Sequence, residues 1–266
     1  MAEAIKHDGG TAEVPVIRPI GVTDVLEALG AGLRDFRAAL LYSLGVGAIY
    51  TLGGWVLILL LVYYSLPYLV YPLAVGFAFI APFIATAFYA ISLDLERGTK
   101  PSWATILASV RGATRRDLGW MALVTGFALY LWVDIAALLF FGFFGLSSQT
   151  LPELLTQIFT TPMGLAFLVI GNAAGVVISV IVFSISVTSF PMLYDRNVDF
   201  VTAMITSVKV VLRNPVPMIV WCAGIAILMG ISVLSGLVGL LVILPVLGHT
   251  TWHLYRRVIA PAQVTA

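Results

Sequence analysis

The chain has 266 residues, of which 61% are hydrophobic and only 10% are charged, and its formal net charge is +1. Soluble proteins carry about 25% charged residues, so this composition excludes a water-soluble globular domain and places the chain in lipid. The single cysteine, Cys222, lies in an apolar run, which excludes an intramolecular disulfide and leaves a packing role.

Residues 1–20 are polar, with Gly9-Gly10, Pro15 and Pro19, and read as a disordered cytoplasmic tail. They lack the apolar core and small-residue cleavage site of a signal peptide. From Val22 the apolar positions Val22, Val25, Leu26, Leu29, Leu33 and Phe36 recur at steps of three and four, which predicts an amphipathic interfacial helix. Asp24 and Glu27 stand as a capping pair near its start. A first span follows over about Ala38–Tyr64, a turn at Ser65-Leu66-Pro67, and a second span over about Tyr68–Leu93, bent at Pro72 and Pro82.

Asp94-Leu95-Glu96-Arg97-Gly98 returns the chain to water, and the pattern restarts. A second amphipathic helix carries Trp103, Ile106, Leu107 and Val110 on one side, and Lys100, Arg111, Arg115 and Arg116 supply charge around it. Leu118–Phe144 is the third span. Thr150-Leu151-Pro152-Glu153 has the form of a capping box for a short helix on the outer leaflet. The fourth span runs over Met163–Leu193, and Tyr194-Asp195-Arg196-Asn197 brings the chain back inside. A third amphipathic helix has Phe200, Val201, Met204, Ile205, Val208, Val211 and Leu212 as its apolar side.

The run Pro217–His253 is free of Asp, Glu, Lys and Arg. As one helix it would be roughly 55 Å long, against a hydrocarbon core of about 30 Å. It therefore folds back near Ser232–Gly236 as a hairpin and returns Arg256 and Arg257 to the inner side. With six spans and an inner N-terminus, all 14 lysines and arginines fall on the cytoplasmic side, as the positive-inside rule asks. The predicted fold is thus all-α, a polytopic bundle of six spans in three hairpins, each preceded by a cytoplasmic amphipathic helix. Residues 21–257 form one membrane domain with repeat units of about 21–97, 98–196 and 197–257, and 258–266 form a C-terminal tail.

Four groups of residues invite a functional reading. His249 and His253, four apart, share a helix face and could meet one transition metal or place one imidazole on a haem. Their bland alternative is to cap the inner end of the last span. The remaining histidine, His7, is far away in the tail. Asp134 is an acid inside a predicted span, costly there and a candidate for proton or cation passage. A hydrogen bond to Asn172 on the fourth span is its structural alternative. Gly171, Gly175 and Ser179 form a small-residue ridge for helix packing, and Ala39, Ser43, Gly47 and Thr51 form another. Arg111, Arg115 and Arg116 could contact anionic lipid headgroups. No metalloprotease, nucleophile-elbow, phosphate-loop or paired-cysteine motif is present, and three histidines are too few for a haem–copper oxidase core, so no enzyme is expected.

Three stretches taken together resemble a bacterial family of integral membrane proteins, domain of unknown function 2189. They are Leu95-Glu96-Arg97-Gly98 with Pro101-Ser102-Trp103; Phe190–Arg196 continuing to Arg213-Asn214-Pro215; and Leu247–Arg256. The resemblance implies a bacterial inner-membrane location. Through relatives described as cytochrome c oxidase components, it also implies a respiratory complex as one candidate partner. The expected function is a non-catalytic accessory or scaffold subunit of a membrane complex. The alternatives are a small transporter or channel for a proton, ion or lipid, and a metal or haem site in oxidase assembly. The partners are the bilayer and a membrane protein or a second copy, with no nucleic acid.

Overall fold

A computed structural model describes residues 15–62, 83–113, 117–145 and 151–261. The elements are α1 (Val22–Ala38), α2 (Leu40–Val62), α3 (described over 83–96), α4 (Trp103–Ala113), α5 (Leu118–Phe144) and α6 (Leu151–Thr160). They continue with α7 (Pro162–Ser186), α8 (Ser189–Asp195), α9 (Phe200–Arg213), α10 (Pro215–Leu234) and α11 (Leu240–Val258). The protein is all-α; the isolated bridge between Ile17 and Ile259 is the only extended pairing among the described residues. Among the described residues, four helical stretches are long and apolar enough to cross a membrane: Leu40–Leu60, Leu118–Phe144, Pro162–Asp195 and Pro215–Leu234. The turn expected at Ser65–Pro67, Pro72, Pro82, Arg115, Arg116 and His7 lie outside the described residues.

The helix ends follow local chemistry. Thr161 caps α7 by accepting from Gly164 N at 3.0 Å, with Pro162 in the first turn, where its missing N–H costs nothing. Asp199 caps α9, accepting from Thr202 N at 2.9 Å. Between α10 and α11 the chain reverses over 235–239, with Gly236 at φ 65°, and Trp55 Nε1 donates to the Gly236 carbonyl at 2.8 Å. The reversal thus comes about three residues later than the sequence suggested. The fourth span is interrupted at Val187–Thr188, so that its last turns form the separate helix α8.

The bundle is organised around α11. α1 and α2 follow one another with a break at Ala39 and run antiparallel to it. Asp24 meets Arg257 near the start of α1, Ser43 meets His249 on α2, and Trp55 meets the turn before α11. Glycine makes two of these approaches possible. A Cβ on Gly32 would lie 2.7 Å from the backbone nitrogen of Thr250, and one on Gly248 would lie 2.8 Å from Phe88 Cγ of α3.

Two of the predicted amphipathic helices bury small residues beside their apolar stripes and leave some of the large apolar ones exposed. In α1 the buried residues are Val25, Ala28, Ala31, Gly32 and Phe36, while Leu26 is 59% exposed. In α9 they are Ala203, Thr206, Ser207 and Val210, while Val201, Ile205 and Leu212 stay exposed. Small residues let these helices approach the bundle closely, and the bulky residues are left on the flanks. The sequence reading also placed residues 15–20 in a disordered tail. Instead Arg18 N donates to Val258 O at 2.8 Å and Ile20 N to Asn214 Oδ1 at 2.8 Å, which ties this stretch to the end of α11 and to the junction of α9 and α10.

Candidate functional site

The polar half of α11 is built from side chains that first satisfy themselves. Thr250 and Thr251 donate to the carbonyls of Val246 and Leu247, one turn back, which lets hydroxyls sit inside the bundle without outside partners. The next residue, Trp252, is wholly buried and stands at the centre of an aromatic cluster. Its ring lies 6.1 Å from that of Tyr89 in a stacked arrangement, 5.9 Å from Tyr194 edge-on and 5.8 Å from Tyr255. The guanidinium carbon of Arg256 lies 4.7 Å from the Trp252 ring centroid.

Charge closes around this cluster. Arg256 pairs with Glu96 at 3.2 Å through one terminal nitrogen and with Asp195 at 3.2 Å through the other. Tyr255 donates its hydroxyl to Asp195 Oδ2 at 2.6 Å and accepts from Arg196 Nε at 3.0 Å. Arg196 also donates to the Ala260 carbonyl. Trp252 Nε1 lies 3.4 Å from Glu96. Glu96 and Asp195, the acids at which the first two predicted hairpins leave the membrane, therefore meet on one guanidinium. Sequence reading placed both at returns of the chain to the inner side without seeing that they share a partner.

A second set of contacts fastens α1. Arg257 bridges Asp24 at 3.0 Å and Glu27 at 2.8 Å, so the expected capping pair is held from outside by an arginine. Asp24 also accepts from Gly21 N at 2.8 Å, and this backbone hydrogen bond, with Arg257, holds its carboxyl below the ordinary range. His253 Nε2 lies 2.7 Å from Asp35 Oδ2. Burial alone would raise the pKa of Asp35, but hydrogen bonds from His253 and Ser92 outweigh it and the carboxyl ends below its usual value.

The two histidines of the sequence reading share a helix face but not a function. His249 is wholly buried, with Nε2 3.0 Å from Ser43 Oγ and Nδ1 2.8 Å from Ser92 Oγ. Each serine hydroxyl can donate or accept, so in the neutral imidazole one ring nitrogen donates to its serine and the other accepts. Both nitrogens of His249 are thereby engaged on α2 and α3, whereas His253 turns to α1. Among the described residues no group of three or more His, Cys, Asp or Glu is placed to hold a metal ion. The ridge Ala39, Ser43, Gly47 and Thr51 packs inside the chain; a Cβ on Gly47 would lie 3.0 Å from Leu241 O of α11.

The other candidates lie elsewhere. Asp134 is half-buried on α5, and Asn172 donates to the Leu168 carbonyl of its own helix at 2.7 Å rather than reaching across to it. Gly175 and Ser179 face two adjoining cavities of about 730 and 580 Å³ between α5, α7 and α10, and Gly171 lines the larger. Both cavities are lined by Trp132, Gly175, Ser179, Cys222 and Ala226, and their walls are mainly apolar. Gly175 packs on Trp132, where a Cβ would lie 3.2 Å from the indole, while a Cβ on Gly171 would meet nothing within 4 Å. Arg111 is exposed on α4.

Residues 70–195 match the model of a family described as a predicted integral membrane protein, domain of unknown function 2189. No curated protein and no solved structure matches the chain. The matched segment takes in Glu96 and ends at Asp195, so it supplies two of the three stretches that meet around Trp252; the third lies beyond it. With four helices of membrane-crossing length among the described residues and this match, the chain is an integral membrane protein that is similar over residues 70–195 to the domain of unknown function 2189 family.

Proposed function

We propose that the protein is a non-catalytic scaffold or accessory subunit of the bacterial inner membrane, which receives a partner's transmembrane helix in the groove between α5, α7 and α10. One observation carries this reading. α7 has the length of a full span, yet none of its most apolar window is buried within the chain, and its Gly171-Gly175-Ser179 ridge borders the groove. Small residues at a helix face favour close approach of another helix over loose contact with acyl chains. The reading takes the six-span topology with both termini cytoplasmic, α3 and α11 serving as second and sixth spans. The exposed bulky residues on α1, α4 and α9 (Leu26, Trp103, Leu107, Ile205 and Leu212) suit helices bathed by the interface.

Cys222, the sole cysteine, lines the groove and gives the test without mutation. Its labelling by a membrane-permeant maleimide should be several-fold slower in native membranes than in nanodiscs holding the purified protein alone. Equal rates would mean that lipid fills the groove and would end this reading; a Cys222-linked homodimer on mild oxidation would replace the partner with a second copy. Transport is the alternative. Asp134 is not among the groove-lining residues, so it needs a separate path, and ion or lipid flux in proteoliposomes that Asp134→Asn abolishes would establish one. A metal or haem at His249 and His253 has less support, because Ser43, Ser92 and Asp35 already engage their nitrogens.

A further inference from the structure

A polar cavity of about 380 Å³ opens between the end of α3, α4, the start of α5 and α8. Its walls include Arg97, Ser109, Gly112, Leu118, Tyr194 and Asp195. Leu118 is the first residue of a spanning-length helix, so the cavity stands at the boundary between lipid and water. Two complementary charges line the site without forming an ion pair with each other. Arg97 is exposed and its guanidinium makes no ion pair or hydrogen bond among the described residues. Asp195 is held by Tyr255, Arg256 and Arg196, but all three contacts fall on Oδ2, which leaves Oδ1 its acceptor capacity. Ser109 and Tyr194, their hydroxyls 3.2 Å apart, stand in the wall beside these charges.

We propose that this cavity binds a phosphoester bearing a primary ammonium, of the kind a phosphoethanolamine headgroup carries, with the phosphate on Arg97 and the ammonium on Asp195. Arginine pairs with phosphate through charge-assisted hydrogen bonds, and an ammonium offers the N–H donors that a free carboxylate oxygen accepts. A purely anionic headgroup would meet the Asp195 carboxylate; a quaternary amine would offer it no N–H. The same chemistry can arrive on a membrane lipid or on a soluble phosphoester, and the experiment separates them.

The thermal unfolding midpoint of the purified full-length protein in detergent is measured with short-chain phosphatidylethanolamine, phosphatidylglycerol, phosphatidylcholine or free phosphoethanolamine. The first should raise the midpoint with increasing concentration, with an apparent affinity at least threefold above the other two lipids. Arg97→Gln should remove this rise. Gly112→Leu should do the same by filling the cavity, since a Cβ there meets nothing within 4 Å and displaces no wall; this variant decides the matter if Arg97→Gln does not fold. Equal shifts from the three lipids, or a rise retained in Gly112→Leu, would overturn the proposal. Free phosphoethanolamine matching the lipid would uphold the site and assign it a soluble ligand. Neither result depends on the groove at Cys222.

Discussion

α11, of 19 residues, and α7, of 25, meet their surroundings in opposite ways. On α11 the chain covers its own surface: Trp252 is fully buried, and His249, Tyr255 and Arg256 each find partners on other helices. On α7 no residue of the most apolar window is fully buried, and Val169 is 70% exposed. The difference follows from the polar groups. Histidine, tryptophan and arginine carry donors that must be matched when buried, so they specify one arrangement of neighbours. Valine, isoleucine and leucine on α7 are as content beside lipid as beside protein, so nothing in their chemistry demands a partner from the same chain.

This contrast can be broken most forcefully at the crossing of α1 and α11. Gly32→Leu puts a side chain against the Thr250 backbone and should destabilise the protein by about 3 kcal/mol or more, read as thermal unfolding in detergent. A variant as stable as the parent would show that α1 is not pressed on α11. Ser92→Ala comes next. It strips a buried ring nitrogen of its partner, for an expected loss of about 1–3 kcal/mol, and Ser92→Cys should recover less than Ser92→Thr.

Acid supplies a smaller and more selective perturbation. Asp35 lies on α1, outside the spanning helices, and its pKa is lowered in the folded protein. Its contribution is therefore complete above the ordinary carboxylate value, about 3.9, and is lost as pH falls through the lowered folded value. The part of the stability that Asp35 contributes should be unchanged from pH 7 to about 5 and decline below about 4. Asp35→Asn should make that decline shallower; an unchanged decline would remove Asp35 as its source. The smallest effect belongs to the open region. Gly171→Leu meets empty space and should alter stability by no more than about 0.5 kcal/mol, while hindering whatever enters the groove. A large loss would mean the groove is closed by the chain itself.

The sequence made the long apolar helices legible because length and the absence of charge are sufficient signals: α5 spans Leu118–Phe144, as composition suggested, and α7 begins within a residue of its expected start. The small ridge on the first span was legible too, although its partner was not. What periodicity concealed was which residues a helix buries when small residues make the contact. Leu26 and Leu212 draw the eye, but Ala28, Ala203 and their neighbours pack. Convergence was hidden for a different reason. Glu96 and Arg256 are 160 positions apart, and no local pattern records that separation. The signal that could have found the site is modest: acid–arginine pairs at hairpin exits, together with a terminal Arg256-Arg257, leave charges that need mutual neutralisation near a membrane. His249 and His253 show the converse limit, since spacing places two imidazoles on one face without telling which neighbours will claim them.

The Arg257–Asp24 contact joins residues 233 positions apart, and this separation has a bearing on how the protein is made. At ribosomal rates of about 5–20 residues per second, α1 emerges roughly 10–50 s before α11 exists to meet it. For that interval its acids and its glycine face lack their native neighbours, and α2 enters the bilayer beside a vacancy that only the final helix fills. Biogenesis thus has a late closing step, in which α11 locks α1, and a chain stalled ahead of Leu240 presents quality-control proteases with α1 unclasped.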